Sequence, residues 1–412
     1  MQKGSTNNWS KWKLFKFSVI SILLLLVVAE LAARIFFYSK FRGMSTSVYI
    51  QGSPIQAEDP LSVYNNRPFY VDYEKRFQHN EEGMKSLPGD FRMPDSKGNE
   101  LWILLLGGSA MEGMGSNRDG KWFDITNVQD HPYNETIAAY LQANLQEKYP
   151  SRKVRVFNAA VSGFTLSQGF LKYQALSKKY NFDWVITMDG VNECDTLSGD
   201  EERDELAYNH FYFSTFPFHG PPLKYIVPVT QHSALFNTLK QEFYYARLHF
   251  RMKKNEAKGF PERKYWADQS IPRLDIDSTD PRVSVSCKAF LKEMHLFESR
   301  LNEDGKKYLF LVQPYLAFRD TTVMTSEERA LNNYLRREEN DKYKVGFLKK
   351  LYDTISILSH ENPHIRRMTE VHKWPGWVFV DYCHFTSNAN GRIAQALADL
   401  IEKDGKTSIF ND

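Results

Sequence analysis

Two patterns of apolar and polar residues divide the chain. Residues 17–37, FSVISILLLLVVAELAARIFF, are apolar apart from two serines, Glu30 and Arg34. A run of this length predicts one membrane-spanning helix. Glu30 and Arg34 stand four apart, so they share a helix face and can pair near the membrane edge. From Leu101 the pattern changes. LWILLLG (101–107) is a continuous apolar run, the mark of a strand buried on both faces, and KVRVFNAAVSG (153–163) and FDWVITMDGVNE (182–193) read as two more strands. Between them YNETIAAYLQANLQEKYP (133–150) and TLSQGFLKYQALSKKY (165–180) carry helical spacing.

The alternation stops over residues 195–283, an aromatic and Pro-rich stretch, and resumes with a helix at 284–305 and a strand at 306–314. A helix (342–360), the short apolar run WVFVD (377–381), read as a strand, and a closing helix (388–403) complete it. Strands alternating with helices predict an α/β domain whose parallel sheet is covered by helices. The expected organisation is a cytoplasmic N-terminus (1–16), a transmembrane anchor (17–37), an irregular lead-in (38–95), an α/β domain (96–194 and 284–404) and an insertion (195–283). Such an insertion at a strand end either shapes and covers a site or forms a second packing layer.

Composition narrows the function classes. The 412 residues are 42% hydrophobic and 25% charged, as in a folded protein, and a net charge of +3 leaves no nucleic-acid footprint. Three cysteines are too few for a disulfide framework and lack zinc-ligand spacing. Lys3, Lys11, Lys13 and Lys16 precede the apolar run and only Lys40 and Arg42 closely follow it, which favours a cytoplasmic N-terminus with the body outside. The competing reading is a signal peptide cleaved after Val27-Val28-Ala29.

Polar groups gather at the ends of the expected strands. Gly107-Gly108-Ser109 ends the first, Gly163 the second, and Asn192 lies just past the third. Asp381 and His384 follow the apolar run near the C-terminus. Serine is a weak nucleophile until a base takes its proton, and His384 is the candidate base. Asp381 is the candidate partner that fixes the imidazole tautomer. The N–H groups of Ser109 and Gly163 and the amide of Asn192 are candidate donors to an oxyanion. Open α/β sheets bring such strand ends together in one crevice.

In this order the blocks resemble the SGNH hydrolases, the superfamily of GDSL esterases and lipases. Ser109 matches the nucleophile block, Gly163 the glycine block, Asn192 the asparagine block, and Asp381 with His384 the closing D-x-x-H. The resemblance covers roughly 99–194 and 284–404. It implies a flavodoxin-like three-layer α/β/α sheet and serine ester hydrolysis or acyl transfer without metal or other cofactor. Two letters depart from the pattern: Gly108 stands where the family name has aspartate, and Glu193 where aspartate is usual. With the anchor, the whole is similar to bacterial membrane-tethered members. That likeness implies an acylated envelope glycan or lipid as substrate, on the periplasmic side. The rival reading is a non-catalytic scaffold or glycan-binding protein of the same fold. Nothing names a protein partner.

Some features point elsewhere. HENPH (360–364) matches a zinc-protease motif by letter, but Pro363 is incompatible with the single helix that the motif needs. Cys194 and Cys383 flank candidate blocks, either as a disulfide or as two small buried thiols. Trp374 and Trp377 are either sugar-stacking or core residues, and the basic residues among 233–254 either a membrane-lying or a solvated helix face.

Overall fold

In the computed structural model of the chain the described residues are 11–41, 55–59, 61–72, 74–116, 129–196, 281–335 and 339–408, together with 233, 235, 236 and 239. The chain forms two compact units, one of residues 1–58 and 215–252, the other of 59–214 and 253–412. The predicted insertion (195–283) lies outside the described residues except at its ends and at those four positions, and so do Lys240, Arg247, Arg251, Lys253 and Lys254.

In the first unit, α1 (Lys11–Phe41) is a single helix of 31 residues whose stretch Lys11–Ile35 is long and apolar enough to cross a membrane. Its leucines and valines are exposed, Leu24 to 63% and Leu25 to 67%. Glu30 and Arg34 pair at 2.8 Å, as their spacing predicts. The other Glu30 oxygen accepts from Ser233 Oγ at 2.7 Å and from the Leu235 N–H at 3.0 Å.

The second unit is built on a seven-stranded sheet. In chain order its elements are β1 (Gln78–His79), β2 (Lys85–Ser86), β3 (Leu101–Gly107), α2 (Ser109–Glu112), α3 (Ile137–Lys148), β4 (Val154–Asn158), α4 (Leu166–Ser177), β5 (Trp184–Asp189) and α5 (Glu193–Thr196). Then come α6 (Pro281–Glu303), β6 (Lys307–Val312), α7 (Ser326–Leu335), α8 (Glu339–Glu361), β7 (Ile365–Arg367) and α9 (Ser387–Ser408). The strand order is β7-β6-β5-β3-β4-β2-β1, and β3 to β7 are parallel. Counted among themselves, those five run 2-1-3-4-5, the flavodoxin-like doubly wound order, whose ligand crevice opens at the carboxyl ends of the first and third strands. Here those strands are β3 and β5, paired from Ile103↔Trp184 to Gly107↔Met188.

Because β3 is buried on both faces, its successive side chains feed two cores. Leu104 and Leu106 join one cluster with Tyr173 of α4, Phe297 of α6 and Leu351 of α8. Ile103 and Leu105 join the other with Leu141 of α3 and Ile393 and Leu397 of α9. Each such leucine contributes about 1.5–3 kcal/mol by leaving water. The two layers of helices on either side of the sheet make the three-layer α/β/α arrangement.

Two expectations are corrected. The run WVFVD is not a sheet strand: it is one arm of a tight hairpin held by the Phe379↔Phe385 bridge and the Val380 N–H to His384 C=O bond of 2.9 Å. The fifth parallel strand is instead Ile365–Arg367, beside Phe310–Val312. The lead-in, expected as irregular, carries β1 and β2, which extend the sheet antiparallel beyond β4. HENPH is split as Pro363 requires: α8 ends at Glu361, and the His364 carbonyl accepts the Phe310 N–H at 2.8 Å beside β7.

Candidate active site

The crevice is built by the turn that follows β3. Gly107, at φ +133°, lies flat against the Met188 backbone, where a Cβ would come within 2.5 Å of the Met188 carbonyl. Gly108 then caps α2, and a Cβ there would collide with Nδ2 of Asn192. The Asn192 amide thus occupies the space that a side chain at 108 would need in this conformation. Ser109 opens α2, so its N–H has no acceptor within the helix.

The closing block meets this turn from the other end of the chain. Ser109 Oγ lies 2.7 Å from His384 Nε2, and His384 Nδ1 lies 2.6 Å from Asp381 Oδ2. The other Asp381 oxygen accepts the N–H groups of Cys383 and His384 at 2.8 and 2.7 Å, which locks the carboxylate against its own hairpin. Gln313, just past β6, donates to the Cys383 carbonyl at 3.0 Å and anchors the hairpin to the sheet. Asp381 and His384 are 2% and 6% exposed.

Burial opposes the charged imidazolium, but the Asp381 charge and its hydrogen bond outweigh burial and hold His384 well above its ordinary 6.5. Burial likewise opposes the Asp381 carboxylate, and His384 with the two backbone donors reverses that, leaving its pKa below the ordinary value. When Nδ1 carries the proton toward Asp381, Nε2 is the acceptor facing the Ser109 hydroxyl. A neutral His384 in that tautomer can take the serine proton.

The donor side is meshed just as closely. The Val161 N–H donates to the Gly107 carbonyl at 3.0 Å, and Asn192 Nδ2 donates to the Phe164 carbonyl at 2.7 Å. One of the two Asn192 amide hydrogens is thereby used and the other remains. Glu193, the second departure, is 2% exposed and spans two blocks: its carboxylate accepts the Leu166 N–H at 2.7 Å and the Gly190 N–H at 2.8 Å. It thus ties the start of α4 to the turn that carries Asn192. Gly163 sits at φ +82° in the loop between β4 and α4, exposed where most of that loop is buried.

Ser109, Asp381 and His384 thus form one hydrogen-bonded chain, with Asn192 packed against the serine's turn. The sequence reading did not single out Glu112, Tyr64 or Asn66, which bear on the loop before Gly163. Glu112 carried a signal, as an acidic residue one turn after the serine; Tyr64 and Asn66 lie in a lead-in with no periodicity. Cys194 and Cys383 are buried thiols not joined in a disulfide, and Cys194 Sγ lies 3.4 Å from the Gly190 carbonyl. The face of Trp374 is covered by the Arg392 guanidinium at 4.2 Å, and Trp377 Nε1 donates to the Phe379 carbonyl at 2.6 Å. Asp381, Cys383 and His384 cluster closely enough for a metal ion, but His384 directs its two ring nitrogens at Asp381 and Ser109.

No protein-family model matches the chain, and no curated protein sequence does. Solved structures similar to it include a carbohydrate acetylesterase from Sinorhizobium meliloti, 12% identical, with 74% of this chain and 99% of that one covered at a TM-score of 0.33. A lipase/acylhydrolase from Enterococcus faecalis is 13% identical over 74% and 96% of the two chains, TM-score 0.34. A member of the lipolytic G-D-S-L family from Veillonella parvula is 10% identical over 74% and 98%, TM-score 0.32.

Proposed function

We propose that the chain is a membrane-anchored serine esterase or O-acyltransferase of SGNH type, acting on an O-acyl ester of a cell-envelope glycan or lipid. The observation that carries this reading is the Ser109–His384–Asp381 hydrogen-bonded chain, 2.7 and 2.6 Å long in its two links, at the crevice of a 2-1-3-4-5 sheet. Ser109 Oγ attacks the acyl carbonyl while His384 Nε2 takes its proton. Asp381 stabilises the imidazolium that forms. The N–H groups of Ser109 and Gly163 and the free hydrogen of Asn192 Nδ2 receive the oxyanion, each worth about 3 kcal/mol in the transition state. His384 then returns the proton to the departing alcohol. Water, or a hydroxyl of a second molecule, takes the acyl group from the serine by the same steps in reverse.

The apolar α1 and its lysine-rich N-terminal flank support a single-pass anchor with the catalytic unit on the periplasmic side. The test is fluorophosphonate labelling of the full chain in detergent, with acetyl-ester turnover measured alongside. Wild type is expected to label and turn over, whereas Ser109→Ala and His384→Ala do neither. A folded wild-type protein inert in both assays would overturn the esterase reading in favour of a binding scaffold.

A further inference from the structure

A second set of polar contacts converges on Ser162, the residue before Gly163. The Glu112 carboxylate, 2% exposed, accepts the Ser162 N–H at 2.7 Å and the Ser162 hydroxyl at 2.6 Å on one oxygen. Its other oxygen accepts Asn66 Nδ2 at 2.8 Å, and that amide also reaches the Ala160 carbonyl at 3.1 Å. From the opposite side, the Tyr64 hydroxyl donates to the Ser162 carbonyl at 3.2 Å. The Tyr64 ring stands edge-on to Phe164 with centroids 5.3 Å apart. Asn158 Nδ2 bonds the carbonyls of Met111 and Glu112 at 3.2 and 3.1 Å, so α2 itself is fixed.

Burying a carboxylate is costly unless donors and cations surround it. Burial, reinforced by Asp130, pushes the Glu112 pKa up, while Lys85, Ser162 and Asn66 favour the charged form. Lys85 itself has a fully buried side chain and pairs with Asp130 at 2.8 Å. The loop before Gly163 is thus held by a buried carboxylate whose desolvation costs free energy.

Peptide geometry supplies the purpose. The Ser162–Gly163 peptide is planar and trans, so its C=O and N–H point in opposite directions. A hydroxyl that fixes the Ser162 carbonyl therefore also fixes the heading of the Gly163 N–H. That N–H has no acceptor among the described residues. A Cβ on Gly163 would come within 2.7 Å of the Tyr64 oxygen, so Tyr64 lies hard against this peptide.

We infer that Glu112, Ser162 and Tyr64 form a clamp that aims the Gly163 N–H at the oxyanion, making Glu112 and Tyr64 positioning residues for acyl transfer. The clamp rests on the reading of Ser109 as nucleophile. Because the oxyanion exists only beyond the ground state, a misaimed donor lowers kcat and leaves KM almost unchanged.

The experiment compares p-nitrophenyl acetate turnover by the full chain in detergent for wild type, Tyr64→Phe, Ser162→Ala and Glu112→Gln, with circular dichroism and Tm as fold controls. Tyr64→Phe is expected to lose about tenfold in kcat and Glu112→Gln about 30- to 100-fold, with KM within about twofold. Tyr64→Phe and Ser162→Ala each delete one hydroxyl, so they carry the test should Glu112→Gln fail to fold. Tyr64→Phe and Ser162→Ala with kcat within about twofold of an active wild type would overturn the clamp alone. Losses that track Tm and raise KM would also overturn it, in favour of a purely structural role. A wild type that neither turns over nor labels would overturn the esterase reading, and the clamp with it.

Discussion

Adding one methyl group at Gly108 tests how the proposed oxyanion site is assembled. The Cβ of Gly108→Ala would fall on Asn192 Nδ2, and the Phe164 carbonyl 3.4 Å away closes the other side. The backbone at 108, φ −85° and ψ −160°, suits alanine, so the substitution acts through this contact and not through strain. Asn192 has to give way, and doing so breaks its 2.7 Å bond to Phe164, a net cost of about 1 kcal/mol. The larger effect is on catalysis. Losing one oxyanion donor costs about 3 kcal/mol, or about 10²- to 10³-fold in kcat. Asn192→Ala is expected to lose the same amount, since it removes the same donor. The double variant should then be no worse than either single, giving a coupling energy of about 2–3 kcal/mol in a double-mutant cycle. The assay is kcat on p-nitrophenyl acetate, with near-ultraviolet circular dichroism to verify packing. Losses that multiply in the double variant, or a Gly108→Ala enzyme within about threefold of wild type, would refute the reasoning.

Other expectations follow from the same geometry. Only neutral His384 can accept the serine proton, and its pKa is held well above 6.5, so kcat/KM should climb with pH along a limb alkaline of an ordinary imidazole. Asp381→Asn removes the charge that raises that pKa; the limb should move to lower pH while kcat falls about 10⁴-fold, and a stationary limb in the pH–rate profile would contradict this. Glu193→Gln keeps one acceptor where two N–H groups need one each; a denaturant titration should show a loss of about 1–3 kcal/mol, and an unchanged midpoint would mean that the Leu166 and Gly190 bonds are dispensable. Alkaline carbonate washing should leave the full chain in the membrane pellet and release a chain lacking residues 11–35, and a full chain found in the supernatant would remove the anchor.

The sheet was legible where burial is two-sided. LWILLLG is apolar throughout, and WVITMD apolar but for the buried Thr187 and Asp189, because helices cover both faces of these strands and leave no side on which a side chain would meet water. Ile365–Arg367 was hidden because it is an edge strand in which only Ile365 is buried, so its sequence carries no apolar run. WVFVD misled for the converse reason: Val378, Phe379 and Val380 are buried under the hairpin that carries Asp381 and His384, and burial by a turn looks the same as burial in a sheet. The candidate triad was legible because its residue types and order are chemically restrictive. The supports behind it were not, since Lys85 and Glu112 are charged residues whose burial depends on partners far away in the chain, as does the Leu166 bond of Glu193. Lys85 pairs with a residue 45 positions on, and Glu112 with Ser162, 50 positions on. No local pattern encodes such pairs.

The link between Ser109 and His384 spans 275 residues of chain. A ribosome adds roughly 5–20 residues per second, so Ser109 is made about 14–55 s before the imidazole it bonds. Throughout that interval Ser109 is an ordinary alcohol with no imidazole beside it to take its proton. The hydrogen-bonded chain is complete only once the hairpin after β7 is seated in the core that α3 and α9 share. A chain interrupted anywhere before residue 384 therefore lacks the proposed base, and on that reading stalling during synthesis releases no activated serine.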